Sequence, residues 1–182
     1  MHQIMRKIGI DAGHRLPSHG SKCRHIHGHR YEIEALCVSA SGDLHEKGEE
    51  AGMVLDFGFL KDEMMAIIDA RCDHGLILSL RDTEALKMMC PSYGDNGGVD
   101  FEAWLGCLAG EVTAQGFALT ENTNLSTKLY VMPADPTAEN LAEHWFNMLA
   151  PAVEARSNGM AKLSWMRVWE TPNCYAEFGT RA

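Results

Sequence analysis

The sequence predicts an α+β domain in which an antiparallel four-stranded sheet carries helices on one face. Two strand patterns lie at the start of the chain and two at its end, and two amphipathic helix patterns lie between them. A length of 182 residues and a hydrophobic fraction of 46% suit one domain with a substantial core. We therefore expect residues 1–182 to form a single domain, with an insertion at about 82–127.

The first half of the chain supplies the opening strands and the first helix. Residues 4–10 and 29–40 alternate apolar and polar side chains, as half-buried strands do. A short extended piece is predicted over 53–57. The apolar positions that follow have helical spacing and predict a helix over 58–71, with Asp56 as its N-cap.

The segment 82–127 is the least regular part of the pattern. It contains a glycine-rich turn from Gly94 to Gly98. A predicted helix follows the turn, and its apolar face holds Trp104, Leu105, Leu108 and Val112. Residues 128–132 then read as a short strand.

A second long helix is predicted to open at Asp135-Pro136, because a proline in the first turn loses no helical hydrogen bond. Its expected buried stripe consists of Leu141, Trp145, Met148 and Leu149. Pro151 is expected to kink or end the helix. Strands over 161–170 and 173–178 close the predicted domain.

Composition and charge argue against several classes of protein. A net charge of -9 disfavours a broad nucleic-acid surface, and no apolar run approaches the ~18–20 residues of a membrane span. The N-terminus lacks the basic and then apolar layout of a secretory signal, so we expect a cytoplasmic protein. Six cysteines without a CxxC pair favour buried thiols over disulfides in that compartment.

Five of the nine histidines lie between positions 14 and 29. His27 and His29 are two residues apart, so both project to the same face of an extended chain. His14, on the preceding strand, would add a third imidazole and leave one coordination position of a zinc ion open. His25 is the alternative ligand, and His19 is expected to lie in a loop. The pattern predicts a metal-dependent enzyme.

Two further groups near this segment could carry proton chemistry. A divalent metal ion and Arg24 would favour the thiolate form of Cys23, which could then act as a base or bind the metal itself. Asp73 directly precedes His74, and a carboxylate in that position can hold an imidazole in one tautomer. This pair is therefore a candidate acid–base partner.

Charged side chains also suggest the kind of substrate. Glu170 lies in an otherwise apolar strand, where it is either an edge residue or an acceptor for the paired N–H groups of a pterin or guanine ring. The cations Lys22, Arg24 and Arg30 lie close in sequence to the histidines. They are candidates to bind an anionic part of the substrate.

Six short motifs together resemble the signatures of the 6-pyruvoyl-tetrahydropterin synthase superfamily. They span nearly the whole chain in the family's order: Ala12-Gly13-His14-Arg15-Leu16, Cys23-x3-His27-Gly28-His29, Leu55-Asp56-Phe57, Asp73-His74, Pro136-Thr137-Ala138-Glu139-Asn140-Leu141-Ala142 and Glu170-Thr171. The spacing of the second motif most resembles the 6-carboxytetrahydropterin synthase branch. The resemblance implies the tunnelling fold, in which trimers stack as a hexamer with active sites between subunits.

The resemblance also implies a role for each site residue. The zinc ligands would be His14, His27 and His29. The general base would be Cys23, and a proton relay would be completed by Asp73 and His74. The pterin ring would be held by Glu170, Thr137 and Glu139.

The substrate implied by the resemblance is 7,8-dihydroneopterin triphosphate. The products would be 6-carboxytetrahydropterin, acetaldehyde and triphosphate, in a step toward queuosine. One alternative is a 6-pyruvoyl-tetrahydropterin synthase, which eliminates triphosphate without cleaving the carbon chain. Another is a non-catalytic pterin- or purine-binding relative in which zinc supports the structure.

Overall fold

The computed structural model describes residues 2–91 and 99–180. The predicted glycine-rich turn from Gly94 to Gly98 lies outside the described residues. The chain forms two compact units. The first unit comprises Met1–Ile10, Arg30–Ala70 and Ala138–Ala182, and the second comprises Asp11–His29 and Arg71–Thr137.

Strands and helices are mixed along the described residues, which confirms the predicted α+β class. Their order is β1 (Gln3–His14), β2 (His27–Ser39), α1 (Phe57–Met64), α2 (Ala70–Cys72), β3 (Gly75–Ser79), α3 (Thr83–Met89), α4 (Phe101–Gln115), β4 (Ala118–Thr120), β5 (Leu129–Met132), α5 (Ala138–Arg156), β6 (Ala161–Thr171) and β7 (Cys174–Gly179). A π-helical turn over Met65–Asp69 joins α1 to α2. None of the described helices is both long enough and apolar enough to span a bilayer.

The sheet of the first unit has the strand order β1-β2-β6-β7. Strand β6 pairs antiparallel with β2 on one side and with β7 on the other. Every second residue of β2 from Tyr31 to Cys37 is fully buried. This burial explains the alternation that identified the strand in the sequence.

The helices of the first unit begin close to the residues that the sequence indicated as their starts. The Asp56 carboxylate accepts hydrogen bonds from the amides of Gly58 (2.6 Å) and Phe59 (3.1 Å), which confirms it as the N-cap of α1. Helix α5 starts at Ala138, two residues after Pro136. Its fully buried stripe runs through Leu141, Ala142, Trp145, Leu149 and Val153, whereas Met148 is only half-buried.

Pro151 was predicted to kink or end α5, and the second of these outcomes is wrong because the proline lies inside the helix. The helix continues for five residues beyond it, to Arg156. A proline inside a helix removes one backbone hydrogen bond. The apolar stripe packs against β6 and holds the helix on both sides of the proline, because tertiary burial contributes more to helix stability than a single hydrogen bond.

The second unit contains the strand order β4-β5-β3-β1. Strands β1 and β3 are parallel, as are β3 and β5, and β4 is antiparallel to β5. The core of this unit joins the strands to α3 and α4 through Leu76, Leu78, Ala85, Leu86, Cys90, Trp104, Leu108, Val112, Ala118, Leu129 and Val131.

The predicted antiparallel four-stranded sheet is therefore wrong in strand number and in direction. The described residues form seven strands with two parallel pairs. The missed strand β3 is buried from Leu76 to Ser79 without alternation, as is typical of parallel strands covered on both faces. The extended piece predicted at 53–57 is a bend with two buried residues, Val54 and Leu55.

Candidate metal centre and active site

His14 is the last residue of β1 and is completely buried. It lies opposite Ile77 in the parallel pairing of β1 with β3. The Nδ1–H of its ring donates a hydrogen bond to the backbone carbonyl of Pro136 (2.8 Å). Because a carbonyl can only accept, this bond places the proton of the neutral imidazole on Nδ1 and leaves a lone pair on Nε2.

His27 is held in the same way at the start of β2. Its Nδ1–H donates to the backbone carbonyl of His25 (2.8 Å). Its Nε2 lies 3.1 Å from the Nε2 of His14. The ring of His29, two residues further along β2, has its centroid 4.9 Å from that of His27 and 5.2 Å from that of His14.

The three imidazoles form a group that could hold a metal ion. One nitrogen of each ring lies within 4.8 Å of a nitrogen of both others. With both Nδ1–H groups bonded to backbone carbonyls, the Nε2 atoms of His14 and His27 can each present a lone pair to a cation placed between them. Zinc–nitrogen bonds of about 2.0–2.1 Å place two ligands of a tetrahedral ion about 3.3 Å apart. The separation observed between His14 and His27 fits that requirement.

Two glycines allow β1 and β2 to approach closely at this group. A Cβ atom on Gly28 would lie 3.0 Å from the carbonyl oxygen of Ala12. A Cβ atom on Gly13 would lie 3.1 Å from the Leu76 side chain and 3.4 Å from the carbonyl oxygen of His27. The glycine of the His-Gly-His motif therefore serves packing between the strands that carry the histidines.

Cys23 lies in a single 3-10 turn, Lys22–Arg24, and is half-buried. Its backbone carbonyl accepts a hydrogen bond from the Leu16 amide (2.9 Å), which closes the loop between β1 and β2. Its thiol is not part of the three-histidine group.

Asp73 and His74 are tied to the strand that carries His14. One carboxylate oxygen of Asp73 accepts from the Asp11 amide (2.8 Å), and the other accepts from Nδ1–H of His74 (2.7 Å). The His74 amide donates to the Asp11 carbonyl (2.7 Å). His74 has a left-handed backbone (φ 54) and a side chain that is 77% exposed, so its other ring nitrogen is open to solvent.

The environment of Asp73 keeps its carboxylate ionised. Partial desolvation raises its pKa, but the hydrogen bonds from Asp11 and His74 and the charge of Lys128 together outweigh this effect, so the pKa is lowered. The Lys128 ammonium donates to the Asp73 backbone carbonyl (2.8 Å). An ionised Asp73 can orient the His74 ring through the hydrogen bond between them. No hydrogen bond within the described residues joins Cys23 to this pair.

The three residues predicted to hold the pterin ring lie on different elements. Thr137 belongs to the second unit and immediately precedes α5. Glu139 lies in the first turn of α5, and Glu170 lies near the end of β6, both in the first unit. Glu170 falls where the pairing of β6 with β7 shifts register, an irregularity that commonly re-aims a side chain.

One charged pair near the histidines escaped the sequence-based prediction. Arg15 Nε lies 3.5 Å from a carboxylate oxygen of Asp82, whose side chain is 1% exposed. The other carboxylate oxygen of Asp82 caps α3 by accepting from the Ala85 amide (3.2 Å). The available signal was the run Asp82-Thr83-Glu84, which is typical of a helix start. No local pattern in the sequence indicates that Asp82 pairs with Arg15, which lies 67 positions earlier.

This fold and site define a class of protein, namely α+β proteins whose strands carry a three-histidine group able to bind a metal ion. Residues 3–181 match the family model described as 6-pyruvoyl tetrahydropterin synthase. The chain belongs to that family, which confirms the resemblance seen in its motifs. Its similarity to tetrahydropterin synthases indicates an enzyme of the lyase type.

Similar proteins include several named 6-carboxy-5,6,7,8-tetrahydropterin synthase. The protein of that name from Rickettsia felis is 33% identical over 177 residues, which cover 97% of this chain and 99% of the relative. The one from Haemophilus influenzae is 27% identical over 178 residues, covering 98% of this chain and 99% of the relative. The match to these relatives thus extends over the full chain.

Solved structures confirm the tunnelling fold. An uncharacterised protein from Wolinella succinogenes matches with a TM-score of 0.65 at 20% identity, over 99% of this chain and 98% of the other. A 6-pyruvoyltetrahydropterin synthase from Plasmodium vivax matches with a TM-score of 0.55 at 14% identity, over 100% and 98% of the two chains. Identities this low establish the shared fold alone.

Proposed function

We propose that this protein is a zinc-dependent 6-carboxy-5,6,7,8-tetrahydropterin synthase. It would convert 7,8-dihydroneopterin triphosphate to 6-carboxytetrahydropterin, acetaldehyde and triphosphate, on the path to queuosine. The observation that carries the proposal is the 3.1 Å approach of the His14 and His27 Nε2 atoms, with both Nδ1–H groups committed to backbone carbonyls. The names of the full-length relatives support the choice of reaction.

The donor set favours zinc over a harder cation. Imidazole nitrogens suit zinc, whereas magnesium and calcium prefer oxygen ligands. Three protein ligands leave one position for substrate or water, as in catalytic zinc sites. When bound, the ion would act as a Lewis acid that lowers the pKa of a substrate hydroxyl group. His14, His27 and His29 would hold it, and the carbonyls of Pro136 and His25 would orient two of these rings.

We assign proton transfer to residues of the second unit. Cys23 would act as the general base, because its half-buried thiol lies on the turn between two strands that supply the histidines. His74 would exchange protons with solvent through its exposed ring, and Asp73 would keep that ring in the required tautomer. The Asp11 amide donates to the Asp73 carboxylate and the Asp11 carbonyl accepts from the His74 amide, so the pair is bonded to the β1 residue three positions before His14.

Recognition of the pterin ring would use Glu170, Thr137 and Glu139. A carboxylate can accept two parallel N–H groups from the guanidine-like edge of a pterin, which a neutral side chain cannot match. The register shift of β6 at Glu170 supports a specialised role for this carboxylate. We expect Glu170→Gln to raise the KM for the pterin substrate much more than it lowers kcat.

The active protein would be an oligomer of identical chains. Among the described residues, β7 pairs only with β6, so its other backbone edge is available to a second chain. We propose trimers or hexamers with active sites at the interfaces between subunits. We also propose that residues 82–127 belong to the same domain as the rest of the chain, since full-length matches to relatives support one unit of homology.

The decisive experiment is product analysis by mass spectrometry after the zinc-loaded protein has been incubated with 7,8-dihydroneopterin triphosphate. Acetaldehyde together with 6-carboxytetrahydropterin is the expected result. Triphosphate release without acetaldehyde would instead identify a 6-pyruvoyl-tetrahydropterin synthase, the activity for which the matching family model is named. Binding of pterin without any product would indicate a non-catalytic relative.

The role of Cys23 can be tested separately. We expect Cys23→Ala to retain zinc and to bind a pterin, but to lose turnover. Cys107→Ala, which removes an exposed thiol on α4, is the matched control and should behave like the wild type. Loss of zinc from Cys23→Ala would make this residue a ligand and would overturn its assignment as the base.

A further inference from the structure

A basic cleft lies within the second unit and is formed by residues close in sequence to the three histidines. It has a volume of about 450 Å³ and is lined by Arg15, Pro17, Arg24, His25 and Ile26. Every charged or ionisable side chain in that lining is a cation or an imidazole. We call this feature the basic cleft.

The charge of the cleft contrasts with that of the whole chain. The protein carries 25 Asp and Glu against 16 Lys and Arg. Residues 12–31 nevertheless contain no acidic residue and four cations, Arg15, Lys22, Arg24 and Arg30. A local excess of positive charge on an acidic protein attracts an anionic ligand to that place and leaves other surfaces unfavourable to it.

The two arginines of the cleft are positioned differently. Arg15 is mostly buried, and its Nε lies 3.5 Å from the buried carboxylate of Asp82, an ion pair without a hydrogen bond between these two atoms. Arg24 is exposed on the 3-10 turn that contains Cys23, and no ion pair within the described residues occupies it. Arginine suits phosphate because its planar N–H groups can form two parallel hydrogen bonds to phosphate oxygens.

Residues that line the cleft also directly neighbour candidate site residues in the sequence. Arg15 follows His14, Arg24 follows Cys23, and the His25 carbonyl orients the His27 ring (2.8 Å). The cleft is therefore built from residues that neighbour the candidate site along the chain, and its lining does not include the three histidines themselves. Of the three cations that the sequence suggested for an anion, Arg24 lines the cleft, whereas Lys22 and Arg30 do not.

We propose that the basic cleft binds the triphosphate of the substrate, with Arg15 and Arg24 as its main contacts. This assignment rests on the proposed function, which supplies a substrate with a triphosphate close to the hydroxyl groups that would reach the metal. The same contacts would stabilise the negative charge of the departing triphosphate. Free inorganic triphosphate should bind there too, because the cleft contacts only the phosphate oxygens.

The test compares Arg24→Gln with the wild type and with Lys61→Gln, which removes an exposed cation of α1 that does not line the cleft. Binding of inorganic triphosphate to the zinc-loaded proteins is measured by titration calorimetry. Loss of a charged hydrogen-bonding group should weaken binding about tenfold or more in Arg24→Gln. Lys61→Gln should bind like the wild type. Any direct contact between triphosphate and zinc is common to all three proteins and does not affect the comparison.

Steady-state kinetics with 7,8-dihydroneopterin triphosphate provide the second measurement. We expect Arg24→Gln to raise the KM for this substrate by about the same factor as it weakens triphosphate binding. The variant should bind unphosphorylated neopterin as the wild type does. Unchanged triphosphate affinity in an active Arg24→Gln protein would overturn the cleft assignment and leave the proposed function standing. Absence of turnover in every protein, with triphosphate binding still dependent on Arg24, would overturn the proposed function and leave the cleft as a polyphosphate site.

Discussion

Asp73 and Asp11 are joined across 62 positions by a hydrogen bond of 2.8 Å from the Asp11 amide to the Asp73 carboxylate. The His74 amide returns a second bond to the Asp11 carbonyl (2.7 Å). Because Asp11 and His14 lie on the same strand, these two bonds couple the position of the candidate acid–base pair to that of the metal centre.

Asp73→Asn tests the acid–base pair with little change of shape. The asparagine can still accept from the Asp11 amide through its remaining oxygen, but its NH₂ group cannot accept from His74 Nδ1–H. We expect turnover to fall by about a hundredfold or more, with zinc content unchanged. Asp62→Asn, an exposed residue of α1, is the control and should retain full activity. Wild-type activity in Asp73→Asn would contradict the proposed relay.

The same pair predicts a dependence of stability on pH. The pKa of Asp73 is lower in the folded protein than its usual value of about 3.9. Its carboxylate therefore stabilises the fold above that usual value, and the contribution disappears as the pH falls through the lowered pKa. Denaturant titrations should show a stability advantage of wild type over Asp73→Asn at pH 7 that narrows below about pH 4. A difference in unfolding free energy between the two proteins that stays constant down to pH 2 would argue against a contribution from Asp73 ionisation.

Metal removal should destabilise the protein through the three histidines. An ion that binds only the folded state at a hundredfold excess over its Kd contributes about 3 kcal/mol. Chelation is then expected to lower Tm by roughly 5–10 °C for a chain of this size. His14→Ala should contain little zinc, and chelation should not lower its Tm further. His2→Ala should resemble the wild type in zinc content and in its fall of Tm on chelation. Elemental analysis with calorimetric melting measures both effects.

Gly28→Ala tests the close approach of β1 and β2. The new Cβ atom would lie 3.0 Å from the Ala12 carbonyl oxygen, so the strands must separate slightly. We expect a loss of about 1–3 kcal/mol in the free energy of unfolding and weaker zinc binding. Gly20→Ala is the matched control, because a Cβ atom there meets nothing within 4 Å. Equal stability and metal affinity in the two variants would show that the strands tolerate the added methyl group.

The cysteines should differ strongly in reactivity. Cys37 is fully buried, and burial raises its pKa to about 12, whereas Cys107 and Cys174 are exposed. Alkylation at pH 8 should therefore label Cys107 and Cys174 quickly and Cys37 only after unfolding. Peptide mass spectrometry identifies the labelled sites. Rapid labelling of Cys37 in the native protein would mean that β2 opens readily.

Local signals in the sequence were sufficient for several features. Asp56 was identified as an N-cap, and the stripe of α5 through Trp145 was identified by its spacing, because both depend on neighbours within a few residues. Strand β3 was missed because a parallel strand buried on both faces has no alternation to detect. Pro151 was misjudged because the packing that supports α5 is not visible in its own sequence.

For the candidate site, the sequence alone identified the chemistry. Residue type and the two-residue spacing of His27 and His29 were enough to predict a metal-binding group, since side chains alternate along any strand. Only the tertiary structure showed what orients that group. The carbonyl that accepts from His14 belongs to Pro136, 122 positions away, and the partner of Arg15 is Asp82. Periodicity reports geometry within one element, whereas contacts of this kind arise only when distant parts of the chain pack together.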